Sequence, residues 1–341
     1  MDVWQKRFSG QAASPEVGPP ADPRLQPTPD YGTLGPCSDI PLTPSGSKPR
    51  SLGRPVDPRR PALLLVAGIG LLAALLAANL GKAEGDLSNI FSSREPLVAS
   101  AQDVRQLDRL RPQKQAETLL ELAVGQRDGA VEQISSRVGR WQGKVRWTPQ
   151  IATLTTAALN SSDMHVRESG IEVELSAYGL AKNSSSLDYL MRTAASSDHA
   201  RKIWALWALG LIGNRGVETD RAVEVLTSHL HDQDQESRRW AVEGLALTGA
   251  SNSIRPLLQT MHDDPSPNVR ERAACGLSES GMLTPQQRMT AVPQLLNYAD
   301  DPSLDAQTHA WANQALTDIT HQHFGSDLNA WRNWYNSAKA D

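Results

Sequence analysis

Apolar residues recur at helical spacing over the last two thirds of the chain, broken at short intervals by polar turns. Four stretches superimpose: ARKIWALWALGLIG at 200–213, SRRWAVEGLALTG at 237–249, VRERAACGLSESG at 269–281 and THAWANQALTDIT at 308–320. In each, small residues stand three and six positions after a polar anchor, and a leucine stands at seven. Those leucines are Leu209, Leu245, Leu277 and Leu316; Leu175 occupies the same place in a more degraded copy. The copies are spaced as two-helix repeats are. A first helix runs into a polar turn (HDQDQ at 231–235, HDDPSPN at 262–268, YADDPS at 298–303), and a second helix follows. Asp, Ser and Asn in such turns accept the free backbone N–H groups of the new helix. Pro265, Pro267 and Pro302 forbid one continuous helix across the turn. One helix pair cannot cover its own apolar face, so the pairs must stack. The predicted fold class is all-α, an α-solenoid.

Ala62–Leu80, ALLLVAGIGLLAALLAANL, breaks the pattern: it is uncharged and apolar around its whole circumference. At about 1.5 Å per residue it spans about 28 Å, the thickness of a bilayer's hydrocarbon core. It is expected to be a transmembrane helix. Lys48, Arg50, Arg54, Arg59 and Arg60 precede it, and only Lys82 follows closely. The positive-inside rule then puts the N-terminus in the cytoplasm and the solenoid outside it, in the cell membrane. A cleaved signal peptide is the rival reading, but its charged region would be far longer than such peptides carry. Ala73, Ala77, Ala74 and Ala78 give small-residue spacing that permits a homodimer through this helix.

Residues 1–61 hold 13 of the 22 prolines and show no helical period. Such a segment cannot bury enough apolar surface to offset its chain entropy and is expected to be a disordered cytoplasmic tail. Within it, Pro55-Val56-Asp57-Pro58-Arg59 is a P-x-x-P string that a proline-recognising domain can bind. The expected organisation is a tail at 1–61, the span at 62–80, a polar stalk at 81–112, the repeats at 113–325 and a C-terminal capping helix at 326–341. In that last helix Trp331, Trp334 and Tyr335 seal the end of the stack.

Pro267-Asn268-Val269-Arg270 with Ala273, Ala274 and Leu277, and Ala208-Leu209-Gly210-Leu211-Ile212-Gly213, resemble bacterial HEAT-like repeats, including the group related to phycobilin lyase subunits. The resemblance covers about 150–320 and extends more weakly back to about 113. It implies stacked helix pairs. By analogy with the lyases it also implies an alternative function, as a subunit of a lyase or oxidoreductase. HEAT-like hydroxylases that hold iron use His-Glu dipeptides, and this chain has none.

Catalytic motifs are missing. There is no G-x-S-x-G, phosphate-binding loop, H-E-x-x-H or C-x-x-C. Cys37 and Cys275 are too few for a disulfide scaffold or a site of several thiolates, and Cys275 takes a small-residue packing position. The pairs His229/His231 and His321/His323 are two apart, which on a helix points them in different directions. No cofactor and no metal is predicted. The net charge of −4, with the acidic excess in the repeats, argues against nucleic acid as a partner.

The sharpest feature is tryptophan, of which there are nine. Trp204, Trp240 and Trp311 stand two residues after the anchors Lys202, Arg238 and His309, and Arg272 fills that place in the remaining repeat. This position lies at the edge of the core face. The row Trp204, Trp240, Arg272, Trp311 reads either as packing between repeats or as a partner-binding strip on the second helices, neighbours stacking along it. The function expected is a membrane-anchored, non-catalytic scaffold for a protein partner. A receptor with its output through the cytoplasmic tail is the other alternative.

Overall fold

The computed structural model describes residues 106–338, Glu279 excepted. The expected transmembrane span and proline-rich tail lie outside the described residues. Among the described residues no helix is long and apolar enough to cross a membrane. In the stretch read as stalk, residues 106–109 form a helical turn, Leu107 is buried, and Asp108 receives the Arg137 guanidinium.

The helices come in pairs. α1 (Pro112–Val124) precedes α2 (Ala130–Trp141), and α3 (Pro149–Leu159) precedes α4 (Met164–Ala177). Then come α5 (Ser184–Ala194) with α6 (His199–Asn214) and α7 (Thr219–His229) with α8 (Gln235–Thr248). α9 (Ile254–Asp263) pairs with α10 (Pro267–Leu277). After a short α11 (Pro285–Met289), α12 (Val292–Asp300) pairs with α13 (Ala306–Thr320), and α14 (Leu328–Ala338) closes the described chain. Residues 106–338 thus form an all-α solenoid of stacked helix pairs.

The polar turns act as expected. Asp163, Asp198, Asp234 and Asp305 each cap a second helix, accepting from the N–H of His165, Arg201, Ser237 and Thr308. Of the other two second helices, α2 follows Gly129 without a side-chain cap, and no side chain caps α10. Pro267 opens that helix, and Asp264 accepts from the Ser266 N–H instead.

Leu175, Leu209, Leu245, Leu277 and Leu316 all lie in one apolar core, none more than 2% exposed. From α6 onward, consecutive second helices run parallel there. The closest approach is α6 on α8: a Cβ added to Gly210 would lie 2.5 Å from the Gly244 carbonyl oxygen. The anchors tie each repeat to the next turn. Lys202 Nζ donates to Asp232 at 3.0 Å, the Arg238 guanidinium to both Asp264 oxygens at 2.8 and 3.1 Å, and Arg270 Nη2 to Asp305 at 2.7 Å. At the C-terminal end Trp331 is fully buried, its Nε1 donating to the Gly325 carbonyl and its ring meeting Phe324 and Trp334 edge-on.

The first four helices form their own bundle with a second apolar core, built on Leu119, Leu120, Ile134, Trp141 and Ile151. α4 belongs to both cores. Val166, Val173 and Ala177 face the bundle, and Ile171 and Leu175 face the repeats that follow. Every residue from Ser169 to Ala177 is buried. The repeats therefore do not stack uniformly from α1 onward, because α4 meets α6 in the opposite sense to the later steps.

Candidate protein-binding face

The reversal is read directly from the contacts. Tyr178, just past the end of α4, sits edge-on to Trp204 near the start of α6, with ring centroids 5.5 Å apart. One turn back, Glu174 Oε1 accepts from Trp207 Nε1 at 2.8 Å and from the Tyr178 hydroxyl at 3.0 Å. Earlier still, Glu172 accepts from Arg215 Nε at 2.9 Å and from Lys182 Nζ at 2.8 Å, and Glu168 lies 3.6 Å from Arg215. Residue numbers fall along α4 as they rise along α6, so the two helices are antiparallel. α6 and α8, by contrast, pair His199 with Asp234, Trp207 with Trp240 and Gly210 with Gly244 in rising order. The start of α4 extends to the loop after α10, where Arg167 Nη1 donates to the Gly281 carbonyl at 2.8 Å.

The row Trp204, Trp240, Arg272, Trp311 lies on this face but is largely covered. Trp204, Trp240 and Trp311 are 9%, 6% and 5% exposed as residues, and the Arg272 side chain 11%. Contacts run diagonally instead of along the row. Trp240 meets Trp207 of the preceding repeat, with centroids 5.7 Å apart and planes at 86°. One repeat on, Arg272 makes a two-pronged pair with Glu243 at 2.7 and 3.0 Å. Glu243 stands in its repeat where Trp207 stands in the one before. A T-shaped aromatic pair and an ion pair thus fill the same place in successive repeats. Trp204 meets Tyr178 at the end of α4 and Tyr189 of α5, and Trp147 stacks on Tyr178 at 4.9 Å.

Sequence spacing had not singled out Trp207, Glu174 or Glu243. Trp207 was legible as a second ring one helical turn after Trp204, on the same face. Glu174 was not, since nothing local marks a carboxylate that will be wholly buried between two helices. Alongside Trp240 the face stays open. Arg239 lies over the Trp240 ring, 5.5 Å from its centroid, and borders a crevice with Gln235, Glu236, Asn268, Glu271 and Arg272.

The remaining candidates for chemistry have structural partners. His229 lies 3.7 Å from Asp232, and burial lowers its pKa. His321 forms the left-handed end of α13. Cys275 is buried on α10. Among the described residues no group of His, Cys, Asp and Glu is placed to hold a metal ion.

The sequence profile of HEAT repeats matches residues 151–246 and, in overlap, 223–317. The matched stretch, residues 151–317, takes in the helix pairs from α3 to α13 described above. No curated protein matches the chain. Among solved structures, the chain is similar to a designed armadillo repeat protein in complex with the peptide (KR)4. The two are 17% identical over 66% of this chain and 97% of that one, with a TM-score of 0.31. An engineered protein from a structural genomics consortium is also similar, at 17% identity over 67% of this chain and 95% of its own, with a TM-score of 0.29.

Proposed function

We propose that the chain is a non-catalytic scaffold whose repeats bind a protein partner along the second helices. Residues 62–80 tether it to a membrane, with the tail cytoplasmic and the repeats on the other side. The observation that carries the binding reading is the open crevice beside Trp240, where a guanidinium over an indole borders charges of both signs. Trp and Arg are the side chains on which protein interfaces most often concentrate their energy. A stack of helices also presents such groups at regular steps to an extended partner. The tether rests on the uncharged run at 62–80 and the basic cluster before it. Confinement to a membrane would raise the effective concentration of a partner held there.

The test is in-cell crosslinking of the full chain against Arg239→Glu. Arg239 is only partly buried, so the variant should keep its helix content and melting temperature while losing one specific crosslinked protein. An unchanged crosslinking pattern would refute the assignment of this face. Alkaline extraction of the full chain and of a chain lacking 62–80 tests the tether: only the first should stay with the membranes.

A further inference from the structure

α4 is a helix held as a ligand would be held. One flank, through Val166, Val173 and Ala177, belongs to the bundle of the first four helices. The other lies against the repeats by means unlike those that join the repeats to one another. α6 and α8 meet backbone to backbone at Gly210 and Gly244. α4 meets α6 through side chains with polar ends: Glu174 with Trp207, and Glu172 and Glu168 with Arg215. Ile171 and Leu175 supply apolar contact four residues apart. On this flank its carboxylates are read by an indole N–H and a guanidinium, as those of a docked helix would be. α4 also runs against the direction of the second helices that follow it. The connection to α5 turns at Gly179, whose φ is +69°.

We propose that this face of α6 is a receptor for an amphipathic helix bearing carboxylates, and that α4 occupies it in cis until a partner helix with the same carboxylate spacing displaces it. The inference rests on the scaffold reading above and adds its ligand class and its regulation. The bundle's separate core lets α4 leave the array without exposing Leu119, Ile134 or Trp141. A groove that is open for only a fraction of the time binds an outside helix more weakly by that fraction.

The experiment uses the full chain and a fluorescent peptide with the sequence of residues 164–180, followed by anisotropy. Glu172→Arg sets a third positive charge beside Arg215 and Lys182 and loosens α4 while leaving the receptor side chains intact. The peptide should bind this variant about tenfold more tightly than the wild-type chain. A peptide carrying glutamine in place of Glu172 and Glu174 should bind neither. Should circular dichroism show Glu172→Arg unfolded, the isosteric Glu172→Gln replaces it and should tighten binding by about threefold. Equal peptide binding to wild type and variant overturns the proposal, as does a variant that dimerises by exchanging its own bundle. Peptide binding as expected with no protein crosslinked at Arg239 would fail the scaffold reading alone. A partner crosslinked equally to wild type and Glu172→Arg would fail the displacement alone.

Discussion

Replacing Gly210 with alanine separates the two things a glycine does in a helix. In an exposed helix interior the change gains about 1 kcal/mol of propensity. Gly210, however, lies where α6 crosses α8: its new Cβ would stand 2.5 Å from the Gly244 oxygen and 2.8 Å from the Gly244 Cα. Both are backbone atoms of a packed helix, so neither can rotate away. The two helices would have to part by about 1 Å, which forfeits about a quarter to a half of the dispersion energy across the contact. Overpacking of this kind costs about 1–3 kcal/mol, and a contact between two backbones falls at the upper end. The net expectation is a loss of about 2 kcal/mol. Gly139, exposed on α2 with no atom within 4 Å of an added Cβ, is the control. Gly139→Ala should gain up to about 1 kcal/mol. Urea unfolding followed by helical circular dichroism should move the two midpoints in opposite directions. If Gly210→Ala raises the midpoint as Gly139→Ala does, the close crossing is not what packs these repeats.

Arg238 and Asp264 are nearly buried, at 10% and 3% side-chain exposure. Removing either alone strands a charge and should cost about 3–5 kcal/mol, and a double-mutant cycle should show the joint loss to be well below the sum. Trp207→Phe deprives the buried Glu174 of a donor, whereas the Trp204 Nε1 has no hydrogen-bond partner among the described residues. Thermal or urea unfolding should therefore find Trp207→Phe less stable than Trp204→Phe by about 1–3 kcal/mol. The Ser237 hydroxyl, with its backbone N–H and His199, holds the Asp234 pKa at about 2 against an ordinary 3.8. The folded state favours the carboxylate, so this contribution is complete above 3.8 and lost as pH falls toward 2. Because the side chain is 42% exposed, it should amount to less than about 1 kcal/mol, seen as a shallower acid limb of stability in Asp234→Asn. His262 runs the other way. Asp263 and Asp301 raise its pKa above 6.5, so its contribution is complete below 6.5 and should fade as pH rises through the raised value, an alkaline loss absent in His262→Asn.

The helix pairs, their turns and the register of the five leucines were legible in the sequence. Capping by Asp198, Asp234 and Asp305 and the stop at Pro265 and Pro267 depend on groups within one turn of each other, so local order specifies them. The row Trp204, Trp240, Arg272, Trp311 was also found by spacing, but its contacts were not. Stacking along the row assumed neighbours at equal height, whereas Trp240 and Arg272 lean back toward the preceding repeat, to Trp207 and Glu243. The anchors Lys202, Arg238 and Arg270 were recognised as a recurring position, while their partners Asp232, Asp264 and Asp305 lie 26 to 35 residues away in the next turn.

By itself, the sequence determined that the chain folds as repeated helix pairs and which face of each helix is buried, because periodicity and capping are set within a few residues. Only the tertiary structure decided that α4 lies antiparallel on α6, that Glu174 is sealed beneath Trp207, and that the first four helices hold a core of their own. The angle at which two helices cross depends on the shape of both surfaces at once, and no stretch of sequence contains both.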